Sequence, residues 1–156
     1  MPTPYRPAAV IGLLGILMAH STAIAQTKTD SAGIRAAALD YIQGWYTGDA
    51  ARMQRALHPQ LAKRIVETDP KTNKSVLSQM GAEKLVEYTR AGGGQKTPLD
   101  RRRADVTILD IYQGAASAKV IAADWVDYLH LARWNGRWEI VNVLWEFKPA
   151  AERASK

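Results

Sequence analysis

The chain has 156 residues, a formal net charge of +6 and no cysteine. This length suits a single domain, and the lack of cysteine excludes a disulfide framework and thiol chemistry. The basic excess is modest, and its dense run is confined to Arg101-Arg102-Arg103, directly before a predicted strand. Because a nucleic-acid-binding protein normally carries a broader basic surface, we expect no nucleic-acid partner.

Residues 1–25 have the pattern of a secretory signal peptide. Arg6 supplies the positive start, residues 8–19 form an apolar stretch too short to span a bilayer, and an Ala-Ile-Ala motif at 23–25 suits cleavage. We therefore expect a mature chain that begins at Gln26, is periplasmic or secreted, and has no membrane span. The alternative, an uncleaved N-terminal anchor, is disfavoured by the short apolar stretch.

The remaining chain predicts one domain, residues 26–149, followed by a polar tail, residues 150–156. The predicted order is two helices, a pair of strands, a third helix and four antiparallel strands. The predicted ranges are 32–46, 50–57, 61–68, 74–79, 82–90, 104–112, 115–124 and the two arms of a hairpin within 124–148. Helices gathered on one face of an antiparallel sheet indicate the α+β class.

The first predicted helix has one apolar face. Ile34, Ala38, Tyr41 and Trp45 follow the i, i+4, i+7, i+11 spacing of a single helical stripe. Gly48 is suited to follow the last helical residue, because a helix commonly ends in a left-handed residue. We expect this face to pack against the sheet.

The hairpin within 124–148 is the strongest local signal, because Asn135-Gly136 is the preferred dipeptide of a type I′ turn. The turn sets the register, which places Leu131 opposite Ile140 and His130 opposite Val141. One predicted face carries Asp127, Leu129, Leu131, Arg133, Trp138, Ile140, Asn142 and Leu144. The other carries Val126, Tyr128, His130, Ala132, Trp134, Val141, Val143 and Trp145. Both faces are largely apolar, so we expect both to be covered.

The order of elements, with Y-I-Q-G-W-Y-T-G-D at 41–49, H-P at 58–59 and D-Y-L-H-L…N-G-R-W-E-I-V-N-V-L-W at 127–145, resembles the nuclear-transport-factor-2-like superfamily. Within it, the chain is similar to the small, often exported bacterial proteins described as "putative lumazine-binding". The resemblance implies a cone-shaped, cystatin-like α+β fold, in which a curved antiparallel sheet wraps a long N-terminal helix and encloses a pocket. It also implies a homodimer formed through the outer face of the sheet, including Trp138, Ile140 and Leu144.

Ketosteroid isomerase shares this fold, and the comparison selects a face of the hairpin. Tyr41 falls where that enzyme has a helical tyrosine, and Trp145 falls where it has a last-strand aromatic residue. The region matching its general base is Lys63-Arg64-Ile65, which has no carboxylate, so proton abstraction beside a carbonyl is not expected. If Trp145 points inward, the predicted register also places Tyr128 and His130 in the pocket.

The preferred hypothesis is a non-enzymatic, exported domain that binds a small, flat, partly apolar molecule. The predicted ligand-binding residues are Tyr41, Trp45, Tyr128, His130 and Trp145. An aromatic cavity with a few polar tips is typical of a small-molecule site. Each of these residues is also compatible with a purely structural role in the core.

The alternative hypothesis is an isomerase, dehydratase or hydrolase in which His130 is the general acid/base and Tyr41 its partner. It requires those two side chains to meet. If the opposite face of the hairpin lines the pocket, Asp127 and Asn142 replace Tyr128 and His130 as its polar groups. No cofactor motif is present, and His58 and His130 lack metal-ligand spacing, so we expect no cofactor or metal.

Overall fold

The computed structural model describes the backbone of residues 14–154 and the side chains of residues 28–153. Residues 1–13 of the predicted signal peptide lie outside the described residues, and residues 14–25 are described only as helical backbone. Signal cleavage, export and the predicted domain boundaries therefore stay predictions. Within the described part of the chain, no helix has the length and apolarity needed to cross a bilayer.

The predicted order of elements is confirmed. The helices are α1 Leu14–Thr47, α2 Ala50–Ala56, α3 Ala82–Arg90 and α4 Ala150–Ala154, with a 3-10 turn at Leu99–Arg101. The strands are β1 Leu57–Thr68, β2 Ser75–Met80, β3 Asp105–Tyr112, β4 Ala115–Ile121, β5 Trp125–Trp134 and β6 Arg137–Phe147. Part of the predicted C-terminal polar tail forms the short helix α4.

The six strands form one curved, unclosed sheet in the order β2-β1-β6-β5-β4-β3. Neighbours are antiparallel except β1 and β6, which run parallel. Helix α1 packs against this sheet and buries Ile34, Ala38 and Ile42 completely. The α+β class and the cystatin-like fold are confirmed.

The predicted start of α1 at residue 32 is wrong, since the helix already runs from Leu14. Asp30 suits an N-cap by its chemistry, but tertiary contacts use its carboxylate instead. That carboxylate accepts a hydrogen bond from Trp138 Nε1 at 3.2 Å and pairs with Arg133 near the tip of the β5–β6 hairpin. Because the hairpin already supplies hydrogen-bond donors to the Asp30 carboxylate, α1 continues through Asp30 and does not begin there.

The β5–β6 hairpin follows the predicted register only near its turn. Leu131 pairs with Ile140 as predicted, but His130 pairs with Asn142, which leaves Val141 as an extra residue in β6. Such a β-bulge moves every later side chain of the strand to the opposite face.

The predicted faces of the hairpin are therefore wrong beyond the bulge. The inner face carries Asp127, Leu129, Leu131, Trp138, Ile140, Val143 and Trp145. Trp138 and Ile140, predicted to pack in a dimer, are 7% and 0% exposed within the monomer core. Homodimerisation through the outer face stays a prediction.

Replacement of Gly136 by alanine tests the hairpin turn. Gly136 has φ 81 and Asn135 φ 48, and a Cβ at Gly136 would meet nothing within 4 Å. The substitution therefore changes only the backbone preference, and we expect the free energy of unfolding in urea to fall by about 1 kcal/mol.

The matched control is Gly114→Ala in the β3–β4 turn. Its added Cβ would be 3.8 Å from Arg133 Cβ, an ordinary contact, and Gly114 is not a positive-φ residue. We expect no loss of stability there. Equal losses in both variants would contradict the assignment of the β5–β6 turn.

Candidate functional site

A cavity of about 200 Å³ lies between α1, β1, α3 and the ends of β5 and β6. Its lining is Tyr41, Ile42, Trp45, Met53, Lys63, Met80, Leu85, Tyr88, Trp125, Trp145 and Phe147. Tyr88 and Phe147 are 44% and 43% exposed, so the cavity opens to solvent beside them. Larger but more polar grooves lie elsewhere, including one of about 1080 Å³ beside α2, α3 and the hairpin tip. The smaller cavity has the most apolar lining of these and places several aromatic rings beside the buried Lys63.

The aromatic walls are held by edge-to-face contacts. Trp45 and Trp125 meet at 6.5 Å between ring centroids with an interplanar angle of 89°. Trp145 and Phe147 meet at 4.8 Å and 70°. Gly94 lies so close to Trp45 that an added Cβ would approach the indole Cδ1 to 2.4 Å. The glycine-rich segment after α3 therefore closes one side of Trp45, and glycine is required there for space.

Lys63 and Tyr41 form the polar floor of the cavity, and both are held by Asp127, which lies behind them and is 0% exposed. Its Oδ1 accepts hydrogen bonds from Lys63 Nζ at 2.7 Å and from Tyr41 Oη at 3.1 Å. Its Oδ2 accepts one from Trp125 Nε1 at 2.7 Å. A buried carboxylate is tolerated only when paired and hydrogen-bonded, and three donors from α1, β1 and β5 meet that requirement.

Lys63 supplies the positive charge of this cluster. It lies between the buried Leu61 and Ile65 on the inward-facing side of β1 and is 7% exposed. Its Nζ also donates to Tyr41 Oη at 2.8 Å and lies 4.6 Å from the centroid of the Trp145 ring. The ammonium thus lies between the buried Asp127 carboxylate and an aromatic wall of the cavity.

Burial changes the acid–base properties of the cluster. It lowers the pKa of Lys63, while the neighbouring Asp127 carboxylate acts in the opposite direction. Burial, reinforced by the charge and hydrogen bond of Asp127, raises the pKa of Tyr41 well above 10.0. The cavity floor therefore combines an amine with a weakened hold on its proton, a carboxylate in contact with it, and a neutral hydroxyl.

Three of the predicted site residues, Tyr41, Trp45 and Trp145, line the cavity. The predicted placement of Tyr128 and His130 in the pocket is wrong, because the bulge in β6 reverses the faces. Tyr128 is 49% exposed, and His130 is exposed on the outer face. Ligand binding by the cavity residues stays a prediction.

The contact required by the alternative hypothesis is not formed, because Tyr41 and His130 lie on opposite faces of the sheet. His130 Nδ1 lies 3.3 Å from Asn142 Nδ2, and Asn142 Oδ1 accepts a hydrogen bond from Arg64 at 2.8 Å. Asn142 therefore also belongs to the outer face. Of the two polar groups expected from a reversed hairpin, only Asp127 lies on the inner face, where it is buried behind the lining residues Lys63 and Tyr41.

Sequence reasoning missed Lys63 and Trp125 as site residues and considered Asp127 only under the alternative of a reversed hairpin. A signal for Lys63 was present, because a lysine that alternates with Leu61 and Ile65 places a charge on an apolar strand face. Asp127 was assigned to the wrong face, since neither glycine nor proline marks the bulge at Val141. Among the residues with described side chains, no cluster of three His, Cys, Asp or Glu is placed to hold a metal ion.

The family described as "Putative lumazine-binding" matches residues 29–146. The chain belongs to this family. The match runs from residue 29, within α1, through most of β6, so it includes every member of the Tyr41–Lys63–Asp127 cluster. A comparison with curated proteins finds no match.

Several solved structures share the fold of this chain. An NTF2-like protein of unknown function from Shewanella baltica is 21% identical, with a TM-score of 0.59, over 78% of this chain and 96% of that one. Another from Silicibacter pomeroyi is 15% identical, with a TM-score of 0.60, over 78% and 98%. One from Novosphingobium aromaticivorans, with a cystatin-like fold, is 13% identical, with a TM-score of 0.59, over 94% and 97%. At these identities the likeness shows the fold alone.

Single and double substitutions of Lys63 and Asp127 test how much this buried pair contributes to the stability of the protein. Lys63→Met or Asp127→Leu leaves one charge buried without its partner, so each should lower the free energy of unfolding by about 3–5 kcal/mol. The loss of unfolding free energy in the double variant should be smaller than the sum of the two single losses, by about 0.5–3 kcal/mol, because neither charge remains. Urea denaturation measures all four proteins.

The matched surface control is Lys84→Met. Lys84 pairs with Glu87 at 3.1 Å, but both side chains are more than half exposed. Water screens that pair, so we expect little change in stability. Additive losses in the double variant of Lys63 and Asp127 would show that the two groups are not coupled.

The raised pKa of Tyr41 predicts a loss of stability at alkaline pH. Above pH 10.0 the unfolded chain releases a tyrosine proton that the folded chain keeps, so stability present below that pH is lost as the pH rises further. Tyr41→Phe should lose less stability over this range. Urea denaturation at a series of pH values measures the difference.

Lys63 acts in the opposite direction, because its lowered pKa makes stability rise with pH up to its usual 10.5. The contribution of Lys63 to the pH dependence is present both in the wild type and in Tyr41→Phe. The difference between the two stability profiles therefore reports the ionisation of Tyr41. The control is Tyr112→Phe, at a side chain that is 72% exposed. Its pH profile should follow the wild type, and a Tyr41→Phe profile that does the same would overturn the assignment.

Proposed function

We propose that the chain binds one small, flat, partly aromatic molecule in the cavity between α1 and the β5–β6 hairpin. The observation that supports this most is the combination of aromatic walls with one polar end. Trp45, Trp125 and Trp145 offer ring surfaces, while Lys63 lies at the floor. Apolar walls with a few convergent polar groups characterise small-molecule sites.

The size of the cavity limits the ligand. Its volume is about 200 Å³, whereas an engineered apolar cavity of about 150 Å³ in another protein accepts benzene. A ligand of one or two rings therefore fits best. The family description names lumazine, a two-ring compound, which has the size and flatness that the cavity favours.

The proposal includes export and dimerisation. Export is supported by the signal-peptide pattern of residues 1–25. A homodimer through the outer face of the sheet is supported by exposed apolar side chains there, including Val66, Leu77, Tyr128 and Leu144. Dimerisation would cover that surface without closing the cavity, which lies on the other face.

A second candidate function is acid–base catalysis of the isomerase, dehydratase or hydrolase type. It is favoured by the 2.7 Å contact between Lys63 Nζ and Asp127 Oδ1 beside the cavity. In this candidate Lys63, whose amine lines the cavity and can pass a proton to Asp127, replaces His130 as the acid–base group, with Tyr41 beside it. It predicts turnover of a bound compound, whereas the first candidate predicts binding without turnover.

Titration with lumazine tests the binding proposal through tryptophan fluorescence. We expect quenching in the wild type and about tenfold weaker binding in Trp45→Ala and Trp145→Ala, because each loses one aromatic contact. Trp134→Ala is the control, since Trp134 is 50% exposed at the hairpin tip against His58. Its affinity should match the wild type. Equal affinity in all four proteins would contradict this placement of the ligand.

A further inference from the structure

We propose that Lys63 captures small aromatic aldehydes or ketones by forming a reversible Schiff base in the cavity. This inference rests on the proposed binding of a flat molecule in the same cavity and assigns the ligand a reactive carbonyl group. It also assigns the lysine a covalent role that simple binding does not require.

The first support is the position of the amine. Lys63 Nζ lies within the cavity, 4.6 Å from the Trp145 ring centroid and 5.5 Å from that of Tyr41. An aromatic carbonyl compound lying against these walls has its carbonyl carbon within reach of Nζ. A lysine desolvated in an apolar pocket is the usual form of a Schiff-base amine.

The second support is the pair of groups that move protons. Asp127 Oδ1 is 2.7 Å from Nζ and can accept a proton to release the free amine. Tyr41 Oη accepts a hydrogen bond from Nζ at 2.8 Å and donates its own proton to Asp127 Oδ1. Once Lys63 has protonated that carboxylate, Tyr41 can turn its hydroxyl to the carbonyl oxygen. Trp125 Nε1 holds the far oxygen of Asp127 at 2.7 Å, which fixes the carboxylate in place.

The reaction balances without an oxidant or reductant. Lys63 transfers one proton to Asp127, and the free amine forms a carbon–nitrogen bond to the carbonyl carbon. The carbonyl electron pair moves to oxygen, which takes a proton from nitrogen. Asp127 returns its proton to that hydroxyl, the carbon–oxygen bond breaks, and water leaves. The sum is one aldehyde plus one lysine ammonium, giving one protonated imine plus one water.

The environment also suits the product. The protonated imine keeps the single positive charge of Lys63, and the Asp127 carboxylate remains beside it as its counterion. Because a buried charge needs a partner, the same pair that stabilises the free protein stabilises the adduct. The aromatic walls replace the water expelled by the ligand ring.

The test is reductive trapping of the full chain with benzaldehyde and sodium cyanoborohydride at neutral pH. Intact mass should show one benzyl group per chain, and peptide mapping should place it on Lys63. The exposed Lys84 serves as internal reference, since its pairing with Glu87 raises its pKa. We expect more labelling on Lys63 than on Lys84, because burial lowers the pKa of Lys63 and Lys63 lies against the aromatic walls that hold the ligand ring.

Two variants sharpen the result. Lys63→Arg keeps a positive charge opposite Asp127 and should lose the specific adduct while the chain stays folded by circular dichroism. Tyr41→Phe keeps the amine and the aromatic ring, and it should slow trapping at Lys63 without changing labelling of Lys84. Specific labelling that survives in Lys63→Arg would overturn the proposal.

Benzyl alcohol, which has the same ring without a carbonyl, separates failure of this inference from failure of the binding proposal. One outcome is that benzyl alcohol quenches tryptophan fluorescence while labelling is no greater at Lys63 than at Lys84. That outcome would reject the Schiff base and keep the binding site. Absence of both quenching and specific labelling would reject both proposals. Specific labelling at Lys63 supports both.

Discussion

The structure depends on one buried ion pair, Lys63 with Asp127, and on the hydrogen bonds that compensate for its burial. Lys63 and Asp127 come from strands that are not neighbours in the sheet, since β6 lies between β1 and β5. Their side chains meet across the inner face at 2.7 Å. Because neither charge is tolerated there alone, the pair constrains the curvature of the sheet over β6. Tyr41 and Trp125 complete the hydrogen bonds, and Tyr41 thereby joins α1 to the same cluster.

The β-bulge at Val141 makes this arrangement possible. Without it, the side chains of Trp145 and Val143 would lie on the face opposite Asp127. With it, Trp145 pairs directly with Asp127 and lies beside the Lys63 ammonium. One inserted residue therefore brings an aromatic wall and a buried charge to the same cavity. Bulges are common near functional sites because they redirect side chains in this way.

The fold itself does not define the function, because similar folds carry unrelated sites. What distinguishes this site is a lysine in the region where the resemblance to ketosteroid isomerase would place a general base. A carboxylate there removes a proton from a carbon acid, whereas an amine can bond to the carbonyl carbon itself. The proposed Schiff base rests on this difference, and the proposed flat ligand rests on the aromatic walls.

Local structure was predictable from the sequence to a large extent. The bounds of α3, the hairpin turn at Asn135-Gly136 and the end of α1 at Gly48 all follow from residues that determine their own backbone conformation. The inward face of α1, with Tyr41 and Trp45, followed from helical spacing. These features depend on nearest neighbours in the chain, which the sequence displays directly.

Through its periodicity, capping residues and turn residues, the sequence by itself determined the element order, the α+β class and the face of α1 that carries Tyr41 and Trp45. Only the tertiary structure decided the passage of α1 through Asp30, the bulge at Val141 and the inward direction of Asp127. Each depends on contacts between residues far apart in the chain: Asp30 with Trp138, Lys63 with Asp127, and β6 between two partner strands. No local pattern records such contacts, because each one exists only after the sheet and α1 have packed together.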